Sequence, residues 1–173
     1  LREYIIKKYP TNKYANSGHE TCEIEKNRVT LPYQMWSMDK IKPDTKELNK
    51  YKKQFVGPYV LSCKLDGISA LYSTESDKPR LYTRGNGKVG TDISHLIEYL
   101  LLPTAKGITI RGEIIMKRKT FNDEYSNDFK NARNLVAGLV NNRNITNQRI
   151  KMFKNLDFVA YEVIKPDKLI PSI

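Results

Sequence analysis

Four stretches of this chain carry the composition and alternation of pleated strands: YVLSCKLDGISALY (59–72), RLYTRG (80–85), ITIRGEIIM (108–116) and LDFVAYEVI (156–164). A period of two sends successive side chains to opposite faces of a sheet, so each run constrains both its conformation and the face its polar residues share. The polar turn STESDKP (73–79) makes the first two runs a predicted hairpin. Helical segments fall between the strands. PDTKELNKYKKQF (43–55) has Asp44 or Thr45 as its cap, Glu47 in its first turn, and Lys52 and Lys53 near its end, before Gly57-Pro58 stops it. A short helix follows the loop GNGKVGTDIS, starting near Thr91 or Asp92. Another is opened by Thr120 and spans about 121–129. A further one begins near Asn131, with Leu135, Val136, Leu139 and Val140 as its apolar stripe. Upstream, NSGHE (16–20) reads as a turn, and LPYQMWSMDKI (31–41) as an apolar, aromatic segment held extended by Pro32. Strands and helices do not alternate as regular βαβ units. The predicted class is therefore α+β with a largely antiparallel sheet.

Alternation also sorts the polar residues. Ser62, Lys64 and Asp66 would share one face of the first run, Tyr82 and Arg84 one face of the second, and Arg111 and Glu113 one face of the third. A ladder of cross-strand ion pairs would give the same pattern. Gly67, Gly85 and Gly112 each stand beside such a polar pair, where a missing side chain permits close approach of a ligand or another backbone. The loop TRGNGKVGTDIS has three glycines but matches neither the P-loop nor the dinucleotide fingerprint. Lys64 stands out within an apolar run. An amine is a nucleophile only when deprotonated, and an ordinary lysine, with a pKa of about 10.4, holds little free amine at neutral pH. A nucleophilic Lys64 would need burial or a neighbouring cation such as Arg84 or a metal, because Asp66 alone acts in the opposite direction. From spacing alone, a surface ion pair and a nucleophile both remain open.

The totals narrow the partners. The 30 Lys and Arg against 19 Asp and Glu leave a net charge of +11, which suits a polyanion as well as a merely basic surface. No apolar run approaches the roughly 20 residues that span a bilayer, and LREYIIKKYP lacks the apolar core of a signal peptide. Two cysteines, Cys22 and Cys63, and two histidines, His19 and His95, fit neither a disulfide framework nor a zinc cluster. An intracellular, reducing compartment is expected.

Taken together, the motifs resemble a known family. Lys64-Leu65-Asp66-Gly67 is the K-x-D-G nucleotidyl-acceptor motif of polynucleotide ligases and capping enzymes. TRGNGKVGTDIS (83–94) is similar to the TRGDGxxGEDVT segment of NAD-dependent DNA ligases. IRGEI (110–114) resembles their VRGEV, FKNARNLVAG (129–138) their FxNPRNxAAG, FVAYEV (158–163) their late strand, and LPYQMWSMDK (31–40) their PMLSLDN segment. ATP-dependent ligases usually carry an arginine two residues after the motif glycine. Ser69 stands there, which favours the NAD-dependent branch.

The resemblance implies the nucleotidyltransferase (ATP-grasp-like) fold of DNA ligases. It also implies a set of roles. Lys64 would attack NAD, release nicotinamide mononucleotide and become a lysyl-AMP, with Asp66 orienting it. Arg84 and Glu113 would hold the ribose and phosphate region, Tyr161 would stack on adenine, and Ser37 and Met38 would border the base. Ser62 occupies the position that hydrogen-bonds adenine, where the family usually has glutamate. Arg133 would face phosphates or DNA, and Arg143 is the nearest counterpart of a second arginine, the segment after Gly138 being shorter than usual. Asn86 replaces an acidic residue. Mg2+ is the expected metal, with no protein ligand assigned, and nicked double-stranded DNA the expected partner. The family's later motifs and its other modules are not recognisable. Residues 1–173 are thus expected to form a partial adenylation domain with 1–30 as a lead-in, and further domains of the same polypeptide to complete it. An ATP-dependent ligase, or a non-catalytic ligase-like module that binds nucleic acid, are the competing expectations.

Overall fold

The structure, a computed structural model, describes Lys8 and residues 27–37, 40–43 and 45–166. Met38, Asp44, the turn at 16–20, Cys22, His19 and most of the 1–30 lead-in lie outside the described residues.

In chain order the elements are β1 Arg28–Thr30, α1 Lys46–Gln54, β2 Ile68–Ser73, β3 Arg80–Thr83, β4 Val89–Thr91, a 3₁₀ helix Ser94–Tyr99, β5 Thr109–Met116, α2 Arg118–Glu124, α3 Ala132–Val140, α4 Asn147–Phe153 and β6 Leu156–Lys165. Four strands form one antiparallel sheet in the order β3-β2-β5-β6, and β1 pairs with β4 in a small second sheet. The α+β class and the β2–β3 hairpin expected from the sequence are present.

The pleat gives the main sheet two unlike faces. Ala70, Tyr72, Leu81, Ile110, Ile114 and Met116 point into the main core, where they meet Ile93 and Leu96, Phe121 of α2, Phe153 of α4, and the stripe Leu135, Val136, Leu139 and Val140 of α3. That stripe is buried as its spacing predicted. On the other face Leu71 is fully buried against Leu31 and Met35, with Tyr33 and Tyr82 packed alongside. The segment after β1 therefore straps across the sheet. Its backbone is held by Leu31 N–H to Lys88 O and Met35 N–H to Gly87 O, both 2.8 Å. Arg111 fastens it from the other side by donating to the Gln34 carbonyl.

Three expectations are corrected. The first strand begins at Ile68 rather than Tyr59, and residues 58–66 adopt no strand. Alternation without a neighbouring strand leaves backbone groups with no ladder to join, and no described strand pairs with 59–66. Ser62, Lys64 and Asp66 are all exposed in that stretch, so period-two logic does not assign them a common face. Second, Thr45 takes the N-cap position of α1 but its hydroxyl donates back to the Lys42 carbonyl (2.6 Å) instead of capping. Third, α4 was not expected. Thr146 caps it by accepting from Arg149 N–H (3.4 Å), the one local signal that could have announced it.

Candidate nucleotide site

One end of the strapped sheet face gathers a polar group. Ser69 of β2 lies directly opposite Glu113 of β5 in the antiparallel register, and donates to Glu113 Oε2 at 2.7 Å. Glu113 is buried, with 6% exposure, yet both its oxygens have donors: Gly67 N–H reaches Oε1 at 3.2 Å. A buried carboxylate is tolerated only when it is hydrogen-bonded, and here part of that role falls to the backbone of the KLDG turn. Next to Ser69, on the hairpin side, Arg84 N–H donates to the Ser69 carbonyl (3.0 Å) while its guanidinium donates to Ser37 Oγ (3.2 Å).

Tyr161 joins this group through an irregularity. The β5–β6 pairing shifts register between Arg111 and Gly112, opposite Glu162 and Ala160, so Tyr161 is the extra residue. Regular alternation would set Glu162 and Tyr161 on opposite faces. The shift lets Glu162 accept from Arg111 (2.7 Å) while the Tyr161 phenol lies within the influence of Ser69 and Glu113. Burial first, and then the Glu113 charge, push that phenol above its usual range; hydrogen bonding with Ser69 and the charge of Arg111 oppose the rise.

Of the sequence-predicted residues, Ser37, Arg84, Glu113 and Tyr161 belong to one connected patch with Ser69 and Gly67. Lys64, Asp66 and Ser62 stand just before it, exposed, on the segment that leads into Gly67. Asp66 pairs with Arg133 at 3.3 Å, so the guanidinium tied to the KLDG turn comes from α3 rather than from Arg84. Arg133 sits in the first turn of that helix, whose cap Asn131 accepts from Asn134 N–H at 2.8 Å. Arg143 is bound elsewhere. It donates to the Asp92 carbonyl (3.0 Å), and Asp92 also pairs with Arg80 (3.3 Å).

The glycines are explained by protein neighbours. A Cβ on Gly67 would stand 2.1 Å from the Ile114 carbonyl oxygen, and one on Gly112 would stand 2.4 Å from the Phe158 ring. Gly85 has φ +53, the left-handed region that a side chain disfavours. Among the described residues no group of three His, Cys, Asp or Glu could hold a metal ion. The resemblance's Mg2+ therefore has no protein ligands that can be named among the described residues.

Ser69 is the residue that sequence reasoning passed over. Along the chain it serves only as a marker of which ligase branch the sequence resembles. Its position opposite Glu113 depends on pairing between strands 44 residues apart.

The model of the NAD-dependent DNA ligase adenylation domain matches residues 24–172, and the chain belongs to that family. A DNA ligase of Acanthamoeba polyphaga mimivirus is 44% identical over 153 residues, covering 84% of this chain and 24% of the relative. A candidate DNA ligase of Invertebrate iridescent virus 6 is 46% identical over 148 residues, 83% of this chain and 23% of the relative. The DNA ligase of Mycoplasma genitalium is 39% identical over 102 residues, 53% of this chain and 16% of the relative. The chain spans about a quarter of the length of the first two relatives.

Proposed function

We propose that this chain is the part of an NAD-dependent DNA ligase that accepts AMP, and that it forms the first portion of a nucleotidyltransferase fold. The observation that supports it most is the hydrogen bond from Gly67 N–H to Glu113, which anchors the KLDG turn to the polar end of the sheet. Lys64 Nζ attacks the α-phosphorus of NAD. The N–P bond forms as the P–O bond to nicotinamide mononucleotide breaks, the mononucleotide leaves as its phosphate anion, and the proton of the attacking amine passes to solvent water. Asp66, held by Arg133, limits where the turn can point. Arg84 with Ser37 and Met38, Ser62, Glu113 and Tyr161 receive the adenosine and its phosphate, while Arg133 and Arg143 supply positive charge toward phosphates or DNA. The AMP then passes to a 5′-phosphate of nicked duplex DNA. Phosphoryl transfer of this kind depends chiefly on positioning and charge neutralisation. Mg2+, when bound, would supply positive charge that offsets the charge developing on the phosphate.

The test offers the intact protein NAD or ATP labelled in the adenylate moiety. Covalent label from NAD that disappears in Lys64→Ala is the expected result. Label from ATP instead would move the chain to the ATP-dependent ligases. No label, with salt-sensitive DNA binding retained, would leave a binding module.

A further inference from the structure

Among the described residues the Glu113 carboxylate has two donors of different kinds. One is backbone and cannot be removed by substitution. The other is the Ser69 hydroxyl, and it alone comes from a side chain. Ser69 is also fixed from its other side, because its carbonyl accepts the Arg84 N–H. One residue thus links Arg84, just past the end of β3, the strand carrying Glu113 and, through Glu113, the segment that leads from Lys64. Because Ser69 and Glu113 are register partners, their side chains leave the sheet side by side on one face, and the 2.7 Å bond needs no long or adaptable side chain. Removing the hydroxyl, as Ser69→Ala does, would leave Glu113 Oε2, in a buried carboxylate, without that donor. The carboxylate could then turn away from Gly67.

We propose that Ser69 is a positioning residue for the adenylation step: by holding Glu113 Oε2 it keeps Oε1 on Gly67 N–H and so fixes the turn that presents Lys64. This inference rests on the adenylation reading above. Ser69 itself need not touch NAD. Its effect should therefore appear in the rate of the covalent step more than in NAD binding.

The experiment measures covalent labelling of the intact protein by NAD for wild type, Ser69→Ala, Ser69→Thr, Glu113→Gln and the double variant Ser69→Ala/Glu113→Gln, with a thermal melt for each. Ser69→Ala is expected to lower the limiting rate about ten-fold or more, with the NAD KM changed less than about two-fold, since small misplacements at a reacting centre are costly. Ser69→Thr, which keeps the hydroxyl, is expected to recover most of the rate. The double variant is expected to be no slower than Glu113→Gln alone, because residues acting through one another are not additive. Three results would overturn the inference while leaving the adenylation reading intact: a wild-type rate in Ser69→Ala, a loss confined to KM, or fully additive losses in the double variant. A lower melting temperature with no recovery in Ser69→Thr would likewise reduce Ser69 to a structural residue. Absence of label in wild type would overturn the reading itself, and this inference with it.

Discussion

At the scale of single residues, the informative positions are buried polar groups whose partners come from other elements. Glu113 is satisfied by Ser69 and Gly67, whereas His95, in the 3₁₀ helix, keeps a buried Nε2 that has no hydrogen-bond partner among the described residues. Burial first, and then the Arg143 charge, hold the His95 imidazole below its ordinary pKa of 6.5, with Asp92 and Glu98 opposing. A base whose pKa is lowered by folding binds protons less well folded than unfolded. Stability is therefore unaffected where both states are neutral, and is lost as pH falls from about 6.5 toward the lower folded value. A series of thermal melts from about pH 7.5 to 5 should show a fall in Tm that is smaller in His95→Gln. An equal fall in both proteins would remove His95 as the cause. The Lys64→Ala test belongs to this scale as well. The side chain is exposed, so its removal should abolish label with little effect on Tm.

At the scale of elements, the KLDG turn and β5 meet backbone to backbone. The predicted strand through 59–67 is replaced by an unpaired approach that ends when Gly67 closes on β5. Gly67→Ala would drive a Cβ to within 2.1 Å of the Ile114 carbonyl oxygen, with the Ile115 side chain 2.8 Å away. Backbone on both sides cannot yield as a side-chain tip would. We expect a loss of about 1–3 kcal/mol in denaturant unfolding, together with weaker covalent labelling. Unchanged stability would show that the turn can retreat from β5. The elements legible in advance were the β2–β3 hairpin, β5, β6, α1, the short helix after the glycine loop and the stripe of α3, while the helix expected over about 121–129 lies earlier, as α2 at Arg118–Glu124. β1, β4 and α4 were not read: two of them have three residues, and α4 carries only its Thr146 cap as a local signal.

At the scale of the whole molecule, the sheet is a partition between a helix-covered core and a face only partly covered by the strap 31–37. Leu71 is the centre of that cover, with zero exposure beneath Leu31 and Met35. Leu71→Ala should cost about 2–5 kcal/mol in equilibrium unfolding. Because the same strap carries Ser37 to Arg84, it should also weaken NAD use. A stability loss with labelling intact would separate the strap from the site. Arg111 adds to the fastening, joining Gln34 of the strap to Glu162 of β6 across 77 and 51 residues of chain.

The sequence by itself determined the α+β class, the antiparallel pairing of the first hairpin, the buried face of α3 and, through the K-x-D-G motif and five further ordered segments, the family. These are local signals. Periodicity, turn chemistry and motif spacing are read along the chain without knowing what lies across from it. Tertiary structure alone decided that the run before Gly67 stays unpaired, that a register shift brings Tyr161 beside Glu113, that Asp66 meets Arg133, and that Ser69 holds the buried carboxylate. Each of these depends on which distant strand supplies the hydrogen-bond partner, and a backbone or carboxylate left without one cannot remain buried.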